Sequence, residues 1–345
     1  PQQGRGGGRG ASRRWRRRAL ALLALAGLIG GIGYGVLVSS PSGGTVRIGS
    51  KNFTEQLILG ELLAQQIEAT TSLAVKRDFG LGGTFLCHEA VRTGRIDGYV
   101  EYSGTAWTAI LRQPPPGGEA PARRVLEQAG RLYRERFGLT MLPPLGFENT
   151  FAILIRGAEA RRLGINAISE AAPHTPGWQA GFSYEFMTRE DGYPGLAERY
   201  GLRFAATPQA MDLGLTYRAL AEGQVDLIAG DSTNGLIASL DLAQLRDDRH
   251  YFPPYEAVPV FNSASLRRHP QLRAAIEALG GRMSADTMRQ LNAAVDLRKR
   301  PVEEVVRQWR EQQGFPRAGG TAHARGRRDR LRRPARKPPP PSPPV

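Results

Sequence analysis

Apolar and polar positions alternate with changing period between residues 45 and 315, and the changes mark out short strands and amphipathic helices. Thr45–Gly49 reads as a strand. Asn52-Phe53-Thr54-Glu55 offers an N-cap with a Glu three residues on, opening a helix to about Ala69. Leu73–Phe79 is a strand, Gly80–Thr84 a glycine turn, Phe85–Arg92 a helix, Ile96–Tyr102 a strand and Thr105–Leu111 a helix. Pro114–Gly118 breaks the chain before a helix over Ala120–Phe137. A second stretch follows, with strands at Phe151–Arg156, Gly177–Phe182 and Val225–Gly230 and a helix at Leu213–Glu222. A last strand from Ala257 leads into helices over 269–279, 284–295 and 302–313. Strands alternating with helices predict an α/β fold with largely parallel sheets.

The first forty residues have a different pattern. Five arginines between Arg13 and Arg18 precede Ala19–Val38, an uncharged run that can just span a bilayer core of roughly 30 Å as a helix. The positive-inside rule keeps residues 1–18 cytoplasmic as a basic n-region and places everything after the 39–44 linker outside. An uncleaved signal anchor at 19–38 is favoured over a signal-peptide h-region, because Val38-Ser39-Ser40-Pro41 is a poor cleavage site. No Cys follows the run, which excludes lipoprotein attachment.

Charge sharpens this division. The 345-residue chain has 47 Lys+Arg against 32 Asp+Glu, a formal charge of +15. Residues 1–18 carry +7 and residues 316–345 carry +8, so the body between them balances at 31 basic and 31 acidic side chains. The basicity therefore belongs to two tails, and nucleic acid is not expected as a partner of the body. Residues 316–345, rich in Arg and Pro, read as a disordered tail. A single Cys (Cys87) and five scattered His give no disulfide framework and no metal-ligand spacing, so neither metal nor cofactor is expected. Gly80-Leu81-Gly82-Gly83-Thr84 lacks the Lys of a P-loop and the third Gly of a dinucleotide fingerprint. No Gly-x-Ser-x-Gly elbow occurs. Nothing selects a catalytic pair, and the chain is not expected to be an enzyme.

What stands out instead is a series of polar and aromatic segments at strand ends, where open α/β sheets place their ligands. Ser50-Lys51-Asn52 lies between a strand and a helix N-terminus, a natural anion site. Glu101-Tyr102-Ser103-Gly104-Thr105, Asn149-Thr150-Phe151, Glu185 through Arg189 to Tyr193, Gly230-Asp231-Ser232-Thr233 and Phe252-Pro253-Pro254-Tyr255 follow the same logic.

In order, Ile48-Gly49-Ser50-Lys51-Asn52-Phe53-Thr54-Glu55-Gln56, the Gly80–Thr84 turn and Ile96-Asp97 with Glu101–Thr105 resemble the quaternary-amine substrate-binding proteins of osmoprotectant ABC importers. So do Phe186–Leu196, Asp231–Gly235 and Tyr251–Tyr255, and the resemblance covers about Thr45 to Phe315. It implies a two-lobed periplasmic-binding-protein (Venus flytrap) fold, type II-like, with 45–147 plus 256–315 as one lobe and 148–255 as the other. The ligand it implies is glycine betaine, choline, carnitine, proline betaine or another amine or amino-acid derivative. Partners would be permease subunits with a cytoplasmic ATPase, with the binding domain held outside the cytoplasm by Ala19–Val38. A membrane-anchored sensing domain of the same fold is the alternative.

By motif position, family cage residues map onto Tyr102, Phe151 and Tyr255. Carboxylate partners map onto Lys51, Thr105 and Arg189, with Glu185 nearby. Aromatic faces suit a trimethylammonium head, which has no N–H to donate. Two departures stand out. Asp231 replaces the cage Tyr common before Ser-Thr in betaine binders, and Phe151 stands where a Tyr is usual.

Overall fold

The computed structural model describes residues 43–114 and 122–317. The n-region, the apolar run Ala19–Val38 and the tail from residue 318 lie outside the described residues. Among the described residues ten strands form: β1 (Thr45–Gly49), β2 (Ala74–Asp78), β3 (Gly98–Tyr102), β4 (Leu139–Met141), β5 (Phe151–Arg156), β6 (Ala180–Ser183), β7 (Gln209–Met211), β8 (Leu227–Asp231), β9 (Leu242–Leu245) and β10 (Ala257–Asn262). They assemble into two five-stranded sheets, one ordered β2-β1-β3-β10-β4 and the other β7-β6-β8-β5-β9.

Burial explains the strand sequences. The inner strands β3, β5, β8 and β10 are near-continuous apolar runs because helices cover both sheet faces. β1 keeps the alternation, with Val46 and Ile48 buried. Around the first sheet, the helix Thr54–Thr70 is buried along most of its length by Ile58, Leu59, Leu62, Leu63 and Ile67. It packs against the C-terminal helices Gln271–Glu277, Ala285–Asp296 and Val302–Gln312. Returning chain therefore completes the first core rather than forming a separate body.

Both sheets are mixed, where the alternating pattern predicts largely parallel ones. β1 runs parallel to β2 and β3, and β6 runs parallel to β7 and β8. β10 and β5 each run antiparallel to both neighbours. These are the first strands after the chain passes from one sheet to the other, so each enters from the opposite end. The three-residue strands β4 and β7 and the four-residue β9 carry too few positions to show a period.

The two passages lie side by side. Asn149 N–H donates to the Tyr255 carbonyl at 3.0 Å, Ala257 N–H donates to the Phe147 carbonyl at 3.0 Å, and Glu148 pairs with Glu256 between them. Next to this double strand Ser103 bonds the Glu256 carbonyl through its backbone N–H, at 2.9 Å. Gly104 is tight against it: a Cβ there would stand 2.7 Å from the Tyr255 ring and 2.8 Å from the Pro254 carbonyl. Gly104→Ala should cost about 1–3 kcal/mol through overpacking, read as a lowered Tm in thermal unfolding. An unchanged Tm would show that Tyr255 moves aside freely.

Candidate ligand-binding cleft

A cavity of about 1070 Å³ opens between the two sheets. Strand ends deliver its wall. Lys51 follows β1, Tyr102 ends β3, and Thr105 leads into a π-helical turn at Ala106–Ile110. Phe151 opens β5, Glu185 and Arg189 belong to the turn of helix Tyr184–Thr188 and its cap, and Asp231 ends β8. Tyr255 lies on the returning passage. All eight residues singled out in the sequence thus line one cavity.

The two cations among them are already paired. Lys51 Nζ lies 2.6 Å from Glu101 Oε1 and donates to Thr84 Oγ1 at 2.9 Å, and both ionic partners are buried. Arg189 forks onto Asp191, Nε to Oδ1 at 2.7 Å and Nη2 to Oδ2 at 2.5 Å, and reaches Thr105 Oγ1 at 3.2 Å. Asp191 also accepts from Thr108 Oγ1 at 2.6 Å and from the Tyr255 hydroxyl at 2.7 Å. The open anion site expected at Ser50–Asn52 is therefore filled on its cationic side by the chain's own carboxylate.

Glu55 has a role its position in the sequence did not reveal. The helix cap is Phe53 rather than Asn52, and it makes no side-chain cap bond. Asn52 N–H instead donates to the Gly82 carbonyl at 3.2 Å. Glu55 is free to turn inward, where its carboxylate accepts from the Tyr102 hydroxyl at 2.6 Å, Asn149 Nδ2 at 3.0 Å, Asn292 Nδ2 at 3.1 Å and the Thr233 hydroxyl. Burial raises its pKa against the pull of these four donors.

Asp231 is pushed up to about 7, first by burial and then by the nearby charge of Glu55, with Lys51 opposing. Glu185 goes the other way. Burial would raise it, but Lys51, Arg189 and the Thr84 N–H donating at 3.0 Å hold it below the usual carboxylate range.

The aromatic rings are partly engaged as well. Arg189 lies 5.1 Å over the Phe151 ring and Lys51 Nζ lies 5.2 Å over Tyr102. Phe151 meets Phe186 and Tyr255 edge-on. Towards the mouth stand Phe85, Leu86, Tyr184, Leu215 and Leu297, the large apolar side chains most exposed among the described residues, and all five line this cleft. Asn292, also on the wall, has its Oδ1 buried without a hydrogen-bond partner among the described residues. Neither Asn292 nor these apolar residues stood out in the sequence, because a single Asn or Leu on a helix carries no distinguishing spacing.

Residues 44–312 match the family described as the substrate binding domain of ABC-type glycine betaine transport systems. The chain belongs to this family. It is a substrate-binding protein of the kind that serves such importers, and the mixed two-sheet architecture is the two-lobed fold of periplasmic binding proteins. A glycine-betaine-binding protein of Pseudomonas aeruginosa is 34% identical over 76% of this chain and 86% of its own length. The ergothioneine transport permease/ergothioneine binding protein of Helicobacter pylori (strain G27) is 31% identical over 78% of this chain, which spans only 47% of that larger protein. Among solved structures, a glycine betaine/carnitine/choline ABC transporter protein is 29% identical, covering 78% of this chain and 98% of its own, with a TM-score of 0.65. No described helix is long and apolar enough to cross a membrane, and Ala19–Val38 is not among the described residues.

Because the folded state holds the Asp231 proton more tightly than the unfolded chain does, this residue costs stability as pH rises from 3.8 through about 7. Asp231→Asn should therefore stabilise the unliganded protein by about 1–3 kcal/mol near pH 8, the gain shrinking towards pH 4. Thermal unfolding across that range checks it, and a pH-independent effect would refute it.

Proposed function

We propose that the cleft captures a small amine of the quaternary-ammonium compatible-solute type and hands it to a membrane permease driven by a cytoplasmic ATPase. One observation carries this reading: Lys51, Tyr102, Thr105, Phe151, Glu185, Arg189, Asp231 and Tyr255 converge on a single cavity between two sheets. Tyr102, Phe151 and Tyr255 supply ring faces and edges for an alkylated ammonium, with each good face worth about 0.5–2 kcal/mol. Glu185 and Asp231 supply charge, and the Arg189 Nη1 and third Lys51 hydrogens remain as donors for a polar tail.

The lobes in this reading are 45–147 plus 256–315 and 148–255, closing about the paired passages at Phe147–Asn149 and Pro253–Tyr255. Burial of the apolar rim residues Phe85, Leu86, Tyr184, Leu215 and Leu297 between the lobes would favour the closed form. The binding domain works outside the cytoplasm, held to the membrane by Ala19–Val38.

Calorimetric titration with glycine betaine, choline, carnitine, proline betaine, ergothioneine and a panel of amino acids tests the assignment. At least one amine should bind below millimolar, and failure of all of them would overturn it. Glu185→Gln should weaken the amine that binds by about tenfold, the scale expected for losing a desolvated charge partner. An unaltered affinity would remove Glu185 from the site.

A further inference from the structure

The charges on the wall of the cleft do not cancel. At its rim Asp212 and Asp296 are balanced by Arg218 and Lys299. Deeper in, Lys51 is neutralised by Glu101 at 2.6 Å and Arg189 by Asp191 through two bonds. Three carboxylates are left over: Glu55, Glu185 and Asp231. Glu55 is saturated by four donors, and Glu185 accepts a backbone N–H. The Asp231 carboxylate is held by the side-chain amide of Asn149, with the charges of Glu55, Lys51 and Glu185 near it. Asn292 on the same wall has its Oδ1 buried without a hydrogen-bond partner among the described residues.

A zwitterion brings a carboxylate of its own into this setting. Both basic groups that would receive it already hold a buried acid, so a tail on the hydrogens left on Lys51 and Arg189 would meet cations whose charge is already offset, while facing three further carboxylates. A cationic head gains from the same surplus. It depends on that surplus the more because the chain's own Lys51 and Arg189 already stand over one face each of Tyr102 and Phe151. From this we infer that the cleft selects amines of net positive charge over zwitterions bearing the same head group, with Asp231 as the residue that sets the preference. The inference rests on the amine-binding reading given above.

Asp231 is surrounded by Glu55 on the helix Thr54–Thr70, Lys51 after β1, Glu185 on the helix Tyr184–Thr188, the Tyr217 hydroxyl and Asn149. Glu55 and Glu185 disfavour its charge and Lys51 favours it. A bound cation tips the balance towards the carboxylate form. Binding of a permanent cation should therefore strengthen with rising pH, in the range where Asp231 titrates, near 7.

Choline and glycine betaine share the trimethylammonium head and differ in hydroxymethyl against carboxylate, and choline keeps its charge at every pH used. Titrated calorimetrically into the full chain, choline should bind at least about tenfold more tightly than glycine betaine near pH 8. Its affinity should fall several-fold by about pH 6. Asp231→Asn should flatten that pH profile and reduce the choline preference at least about fivefold. Glycine betaine binding as tightly as choline, or a choline affinity indifferent to both pH and Asp231→Asn, would overturn the inference while leaving the amine site standing. If no amine binds at all, the functional reading fails and the inference falls with it.

Discussion

The carboxylate of Glu55 accepts hydrogen bonds from four separate parts of the chain, and the cleft keeps this shape only while all four are in reach. Tyr102 comes from the end of β3, Asn149 from the outgoing passage, Asn292 from a C-terminal helix and Thr233 from the loop after β8 in the second sheet. A charge taken this far out of water is tolerable only when its lone pairs are filled, and breaking a buried partner typically costs about 3–5 kcal/mol. Asp191 repeats the device from the other side. It belongs to the second half of the molecule, accepts from Arg189 and Tyr255, and crosses to Thr108 beside the first sheet. Two buried carboxylates, one from each side, therefore act as clasps across the cleft.

Both clasps depend on the double passage. Asn149 and Tyr255, which serve Glu55 and Asp191 respectively, are bonded to each other through their backbones at 3.0 Å. A rotation about the passage moves a donor of each clasp at once. Gly104 lets the Tyr255 ring lie against the backbone at β3's end. With the clasps made, what remains unsatisfied is acceptor capacity and an apolar rim.

Much of the fold could be read from periodicity. The strands β1, β3, β5 and β8 and the helices near 54–70, 285–296 and 302–312 stand close to where the pattern predicts them, because each is long or apolar enough to show its period. The mixed sheets could not be read so, since strand direction is decided by where the chain crosses and not by local sequence. The cleft segments were legible as polar and aromatic residues near strand ends, and the resemblance to a known family picked out the eight residues within them. Their partners were not. Glu101 and Asp191 look like any other acids, and Glu55 looks like a helix-capping residue. Only the three-dimensional arrangement shows that Lys51 and Arg189 arrive already neutralised.

That pairing changes what a single substitution in a familiar motif means. If Lys51 and Arg189 were free, two bases would face the three acids Glu55, Glu185 and Asp231, and the cleft would be better suited to a zwitterion. With both bases committed, the same aspartate tips a wall that is otherwise balanced at its rim. The body of the chain is neutral as a whole, 31 basic against 31 acidic side chains, so no global count reveals this. Coulomb energies fall with distance and are screened within roughly 8–10 Å in salt, so the ligand meets the local sum. A protein can hold net charge near zero for its bulk behaviour and still present a strongly biased site, provided the compensating charges lie beyond a screening length. The tails carry the visible excess of this chain, while its selectivity comes from an imbalance of three carboxylates that the overall arithmetic conceals.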